Sequence, residues 1–396
     1  MSDQDRVNRR DFIATTAGTA GALAAGGSIA TTASAQGPAS TPPPGFKDQA
    51  PFAAYWEKQL SDIVKVDLTK DAPELADEAV KERHRIYSHL LMKLIHRFWN
   101  GNKFGPFGDY PGRKAQKETE GRYKGDMVAN PEGSRVSWDR YLGHNIACVA
   151  VDGNGEIIDF EFNHNDLFRA TSEHAESRMV RRLFGLANVA DSWKTGNPIA
   201  DKSRPALLNE VTLYTSLESC AQCSGVMSLA GVKQIVYLQN DFTAYQIGNI
   251  MYNLANRTGA NRQFPGAPIP VAGSEIGLPQ FQVLNEANLK FAEKMKEAEQ
   301  EKDEKRMFFV STDKSVKNFA PSITSFLCTD VAYDIFKEGG EKLDTMQLAF
   351  PERRFPNQVD GHNHAEILTN AQCLKEAQNF FRYADMEGYR GSPHKL

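Results

Sequence analysis

The order of elements between residues 146 and 238 limits the fold more than any other feature of the chain. Ile146-Ala147-Cys148-Val149-Ala150-Val151 and Ile157-Ile158-Asp159-Phe160 are apolar runs joined by Asp152-Gly153-Asn154-Gly155, the pattern of a β-hairpin. A helical segment runs from His174 to about Val189, followed by a strand at Val211–Thr215, a helix at Ala221–Ala230 and a strand at Gln234–Leu238. Hairpin, helix, strand, helix, strand specifies an α/β layered sheet with helices crossing between strands. Ile269-Pro270-Val271 suits a short edge strand.

On either side the pattern is helical. Asp77 to about Phe98 places Ile86, Leu90, Leu91, Leu94 and Ile95 at helical spacing, and Glu286 to Lys305 reads as a long charged helix with a solvated face. Residues 306–396 read as mixed α/β of unassigned role. The 396 residues exceed one ordinary domain of about 100–200. Hydrophobic residues at 41%, with 23 Phe and 12 Tyr, suffice for a packed core and exclude a disordered, collagenous or coiled-coil chain. Lys and Arg total 46 against 50 Asp and Glu, so bulk charge gives no argument for gripping nucleic acid.

The first thirty-five residues read as an address. Arg9-Arg10-Asp11-Phe12-Ile13 precedes a weakly apolar Ala/Gly/Thr stretch and the small-residue processing pattern Ala33-Ser34-Ala35. This resembles a twin-arginine export signal, recognised by the twin-arginine translocase, and it implies a periplasmic mature protein. The stretch is too rich in Gly and Thr for a stable membrane span, and no later segment reaches 18 apolar residues. Pro42-Pro43-Pro44-Gly45 lies in an extended tether.

Two fragments carry the chemistry. His174-Ala175-Glu176 opens one helix and Cys220-Ala221-Gln222-Cys223 opens the next. Cys-x-x-Cys at a helix N-terminus sets both sulfurs on one face of the first turn, where the dipole favours thiolates. Two thiolates and an imidazole supply three ligands to Zn2+, leaving a fourth tetrahedral position for water. Such a metal brings the pKa of water towards 7, and Glu176, two residues from His174, is placed to shuttle the proton. A thioredoxin-type dithiol is the rival reading for the cysteine pair, but it leaves His174 and Glu176 without a task.

These residues, with Ser216-Leu217-Glu218-Ser219 before Cys220, resemble the zinc-dependent cytidine/deoxycytidylate deaminase superfamily, whose signature is H-x-E…P-C-x-x-C. Leu213-Tyr214-Thr215-Ser216-Leu217-Glu218 is most similar to the branch of tRNA adenosine and guanine deaminases. The resemblance implies a three-layer sandwich, a mixed sheet between helices, here with an extra mixed α/β C-terminal region. It implies Zn2+ on His174, Cys220 and Cys223, Glu176 as the catalytic group, and Asn163 as a contact to the base or ribose of the substrate. A small-molecule nucleobase, nucleoside or nucleotide is the expected substrate, and a homo-oligomer the expected assembly. Secreted nucleic-acid editing and non-catalytic zinc binding on the same fold are the alternatives. The expected organisation is a signal peptide at 1–35, a linker at 36–50, a deaminase-like domain at 51–280 with an insertion near 101–133, and a further region at 281–396.

The sequence departs from the signature at Ser219, which stands in place of Pro. Ser219 is expected to cap the helix, with Gln222 completing a capping box. A second His364-Ala365-Glu366 is not followed by Cys-x-x-Cys and reads as a helix start. Cys148 reads as core. His144 and His164 read as exposed loop histidines, and Trp193, Phe242 and Tyr245 as packing residues that could stack on a planar base.

Overall fold

The computed structural model describes residues 60–99, 144–164, 171–195, 208–242, 246–255, 266–300, 323–327, 329–354 and 367–387. Arg9, Arg10, Ala35, the linker, the 101–133 insertion, Tyr245 and His364-Ala365-Glu366 lie outside these residues. The chain divides into two compact units, Met1–Glu57 and Lys58–Leu396, and all described residues fall in the second.

Helix α1, Glu78–Arg97, starts where the Asp77 carboxylate accepts from Ala79 N at 2.9 Å, an N-cap that also places negative charge at the positive end of the helix. His96 and Arg97 occupy its last turn. Ile86, Leu90, Leu91, Leu94 and Ile95 are fully buried, each contributing on the order of 1.5–3 kcal/mol. The polar side of α1 is buried as well: Glu82, Arg83, His84, Ser88 and His89 are all inside.

The reason is what packs around it. The sheet has the order β2-β1-β3-β4-β5, built from β1 (Ala147–Val151), β2 (Ile157–Phe162), β3 (Thr212–Thr215), β4 (Gln234–Tyr237) and β5 (Ile269–Ala272). β1 runs antiparallel to β2 and β3, while β3, β4 and β5 are parallel. The expected hairpin forms, with Asp152 Oδ1 accepting from Asn154 N and Glu156 N at 2.9 Å each. Its turn needs Gly155 at φ +96°. The proposed edge strand is present as β5, and β2 extends two residues past Phe160 to Phe162.

Strand alternation divides the two faces of the sheet. Phe160, Phe162 and Tyr214 point towards α1: Phe98 lies 5.8 Å from Phe160 between ring centroids, and the Tyr214 hydroxyl is 2.8 Å from His84 Nδ1. Asp159, Glu161 and Thr215 point the other way, towards α2 (Ala175–Thr195), which carries Arg178 and Arg182 against the two acids. Helix α3, Ala221–Ala230, packs beside α2 and ends at Gly231 in the left-handed conformation, φ 65°. Helices on both faces of a mixed sheet make the expected three-layer α/β sandwich.

Helix α4 is Ile247–Ala255, and α5, Pro279–Gln300, begins seven residues before the charged run, its first turns packing a half-buried Phe281 against Tyr237 and burying Leu284. Beyond α5, the described residues supply the short α6 (Ile323–Phe326), α7 (Asp330–Thr345), α8 (Asn370–Glu387) and one isolated bridge between Arg354 and Thr369, while three single-turn helical segments, Leu60–Ile63, Leu68–Asp71 and Pro73–Ala76, precede α1. α7 and α8 lie along α1. Contact with α7 is close enough that a Cβ on Gly340 would sit 2.7 Å from Lys93 Cα.

Buried hydrogen bonds fasten the C-terminal segment to α1. Arg83 Nε donates to Asn370 Oδ1 at 2.9 Å, and its Nη2 to Leu368 O at 2.9 Å and Arg353 O at 3.1 Å. The Glu82 carboxylate accepts from Ala349 N at 2.6 Å, Asn370 Nδ2 at 3.0 Å and Phe350 N at 3.1 Å. No helix among the described residues is long and apolar enough to cross a membrane.

Candidate metal centre

Two helix starts meet at the carboxyl ends of β3 and β4. The β3 strand leads through Ser216–Ser219 to Cys220, the N-cap of α3, and Cys223 follows one turn on. His174 immediately precedes α2. Asn163 fixes that start: its Oδ1 accepts from Ala175 N at 2.7 Å, inside the protein. Glu173 holds the other side. Its backbone carbonyl accepts from His164 N, and its carboxylate pairs with Arg178 at 2.7 Å and Arg181 at 2.8 Å. Arg181 and then Arg178 keep the Glu173 carboxyl below the usual range.

The result brings together the residues singled out by spacing. His174 Nδ1 lies 3.4 Å from Cys220 Sγ and 3.6 Å from Cys223 Sγ, and the three ligand atoms fall within 4.8 Å of one another. Zinc bonds of about 2.0–2.1 Å to nitrogen and 2.3 Å to sulfur, at tetrahedral angles, require N···S edges of about 3.5 Å. The donor set and its two N···S edges therefore fit zinc. Cys223 is buried, while His174 and Cys220 are half-buried.

Charge in the cluster is shared. Hydrogen bonding from Cys223 and His174 pulls Cys220 down to about 4, and sharing with Cys220, together with burial, pushes Cys223 up. The Cys220 thiolate in turn raises His174. Glu176 is buried against them, its Oε2 3.4 Å from Cys223 Sγ, and burial raises its pKa.

Several neighbours take roles that the sequence analysis did not assign. Thr215, fully buried at the end of β3, donates to Glu176 Oε1 at 3.2 Å. Glu218 is buried with its carboxylate accepting from Asp241 N at 3.1 Å, joining the ends of β3 and β4, and burial pushes its pKa to about 7. Ser177 Oγ lies 3.4 Å from Cys223 Sγ.

Residues 131–239 match the family model of the cytidine and deoxycytidylate deaminase zinc-binding region. The matched stretch spans the hairpin, His174, Glu176, both cysteines and β4. Together with the His/Cys/Cys cluster it supports a zinc deaminase. No curated protein matches the chain. A solved structure from a study of A-to-I editing by tRNA:A34 deaminases at the wobble position of transfer RNA is 20% identical, with a TM-score of 0.22, over 33% of this chain and 82% of that one.

Within the matched stretch three expectations change. The capping box does not form: Cys220 is the N-cap, Ser219 Oγ is buried without a hydrogen-bond partner, and Gln222 reaches Ser172 O and Ser177 instead. His164 is buried beneath Glu173, not exposed, whereas His144 is half-buried. α2 continues to Thr195, six residues past Val189. Cys148 is core, and Phe242 is 52% exposed rather than packed.

Proposed function

We propose that the chain is a zinc-dependent hydrolytic deaminase that removes the amine of a nucleobase, nucleoside or nucleotide as ammonia. The observation that carries this reading is the convergence of His174, Cys220 and Cys223 beside the buried carboxylate of Glu176. Zinc held by those three side chains supplies a Lewis acid that makes a nucleophile of water near neutral pH. Glu176 is the proton carrier, taking a proton from the attacking water and giving it to the leaving nitrogen. Burial favours its neutral form, so holding a proton between the two transfers costs it little. Thr215 orients one carboxylate oxygen, leaving Oε2 on the cysteine side. Asn163, bonded to the first turn of α2, supplies a contact to the base or ribose.

The twin arginines Arg9 and Arg10 and the processing pattern ending at Ala35 support export in folded form. The working compartment is then the periplasm, with free bases, nucleosides and nucleotides as accessible substrates. The mature protein is taken to act as a homo-oligomer.

The test is ammonia release by the zinc-loaded protein from Gln36 onward, against a panel of bases, nucleosides and nucleotides. Release from at least one substrate, lowered about 10²–10⁴-fold in Glu176→Ala, is the expected result. Silence across the panel with one zinc bound per chain overturns the reading.

A further inference from the structure

Resting on the metal-centre reading above, we propose that Gln222, Ser177 and Cys223 form a hydrogen-bond relay that donates to one of the two ligand sulfurs and makes Ser177 and Gln222 positioning residues of the metal site. The available hydrogens fix the direction of each bond. Gln222 Nε2 lies 2.9 Å from Ser172 O and 3.3 Å from Ser177 Oγ. A backbone carbonyl only accepts, so the amide end facing Ser172 must be the NH₂ group, and its two hydrogens serve both partners. Ser177 Oγ thereby accepts from Gln222. A metal-ligating cysteine is a thiolate and carries no hydrogen, so across the 3.4 Å contact between Ser177 and Cys223 the serine hydroxyl must be the donor.

The relay crosses three pieces of chain. It begins at Ser172, two residues before His174, passes through Gln222 between the two cysteines, and returns to α2 at Ser177, next to Glu176. It therefore sets the spacing of α2 and α3 at the point where each contributes a ligand. Gln222 is exposed and Ser177 is buried, so the relay runs from the surface to the deepest ligand. A hydroxyl donating to a thiolate withdraws electron density from sulfur, which weakens its donation and leaves the metal more electrophilic. Outer partners of this kind also hold a ligand in place, and their loss typically costs about 10–100-fold in metal affinity or activity.

The experiment reads the metal and not turnover. The full chain is loaded with cobalt(II), the sulfur-to-cobalt charge-transfer band is recorded, and zinc affinity is measured by competition with a chromophoric chelator. Ser177→Ala is expected to fold, since alanine suits a helix interior. It should move the band to lower energy, because the sulfur is richer in electrons, and lose about 10–100-fold in zinc affinity. Gln222→Leu should move both readouts the same way by less, and the double variant should match Ser177→Ala, because both changes act through one hydroxyl. Ser177→Thr should restore the wild-type band. A Ser177→Ala protein with unchanged band and affinity overturns the relay alone. A wild-type protein that binds neither metal overturns the relay together with the metal centre. A metal-loaded protein with the shifts described but no ammonia release keeps the relay and removes the deaminase.

Discussion

Thr215 Oγ1 donates a hydrogen bond of 3.2 Å to Glu176 Oε1, joining the last residue of β3 to the first turn of α2 across the face of the sheet. Thr215→Val keeps the shape and removes the donor, leaving a buried carboxylate oxygen without that hydroxyl. A hydrogen bond to a charged group is worth about 1.5–3 kcal/mol, so kcat for ammonia release should fall about 10–100-fold with KM little changed. Thr215→Ser should recover most of it. Equal losses in both variants would show that strand packing, not the hydroxyl, matters.

Metal removal should be visible in stability. The ligands come from two helix starts 46 residues apart, so a metal bound only by the folded chain stabilises it by mass action, about 4 kcal/mol at a thousand times Kd. A chelator should lower Tm, and added zinc should restore it. In His174→Ala both additions should leave Tm nearly unmoved.

Arg83 is the main fastener of the C-terminal segment. Arg83→Met removes donors to Asn370, Leu368 and Arg353 inside the protein and should cost about 3–5 kcal/mol, read as a lower urea midpoint. Limited proteolysis should then cut first near residues 349–370, while zinc affinity stays close to wild type because the site is on the opposite face of the sheet.

Acid should weaken the fold through two buried histidines. Burial holds His84 near 3 and His89 near 4, against about 6.5 in an unfolded chain. Below about pH 6.5 the unfolded state takes up protons that the folded state refuses, so stability falls as pH drops from 6.5 towards 3 and is fully present above that window. Each unit of difference is worth about 1.4 kcal/mol. His84→Gln keeps a polar partner for Tyr214 and does not titrate. Its urea stability should depend less steeply on pH than the wild type between 6 and 4, and an unchanged slope would contradict the assignment.

What could be read from the sequence, and what could not, divides along the range of the interactions. The hairpin, the start of α3 at Ala221 and the edge strand at Ile269 are written in short-range patterns: turn residues, alternation, an N-terminal cysteine pair. His174 and the two cysteines are legible because metal ligands must be of few types and must be paired. Thr215, Ser177 and Gln222 take their roles from neighbours 39 to 50 residues away, so although Thr215 and Gln222 stand inside recognisable motifs, no local pattern gives their partners. Ser219 shows the converse. Its local pattern suits a helix cap, but the strand end turns it inwards, and Gln222 finds better partners across the gap. The buried polar residues of α1 have no local signal for a related reason: Glu82, Arg83 and His89 are covered by α7, α8 and the residues on either side of α8's start, far away in the chain.

That covering layer has a consequence for how the protein comes into being. Arg83 and Asn370 are 287 residues apart, and at about 5–20 residues per second a ribosome needs about 15–60 s to travel from one to the other. Through that interval the apolar flank of α1 that α7 and α8 will cover has no native partner to pack against. The strand–helix–strand stretch carrying Cys220 and Cys223 is complete well over a hundred residues sooner and depends on nearer contacts. The candidate metal centre and the opposite flank of the sheet are thus finished at different moments of synthesis, and α1 waits for α8, made nearly three hundred residues later, to be sheltered.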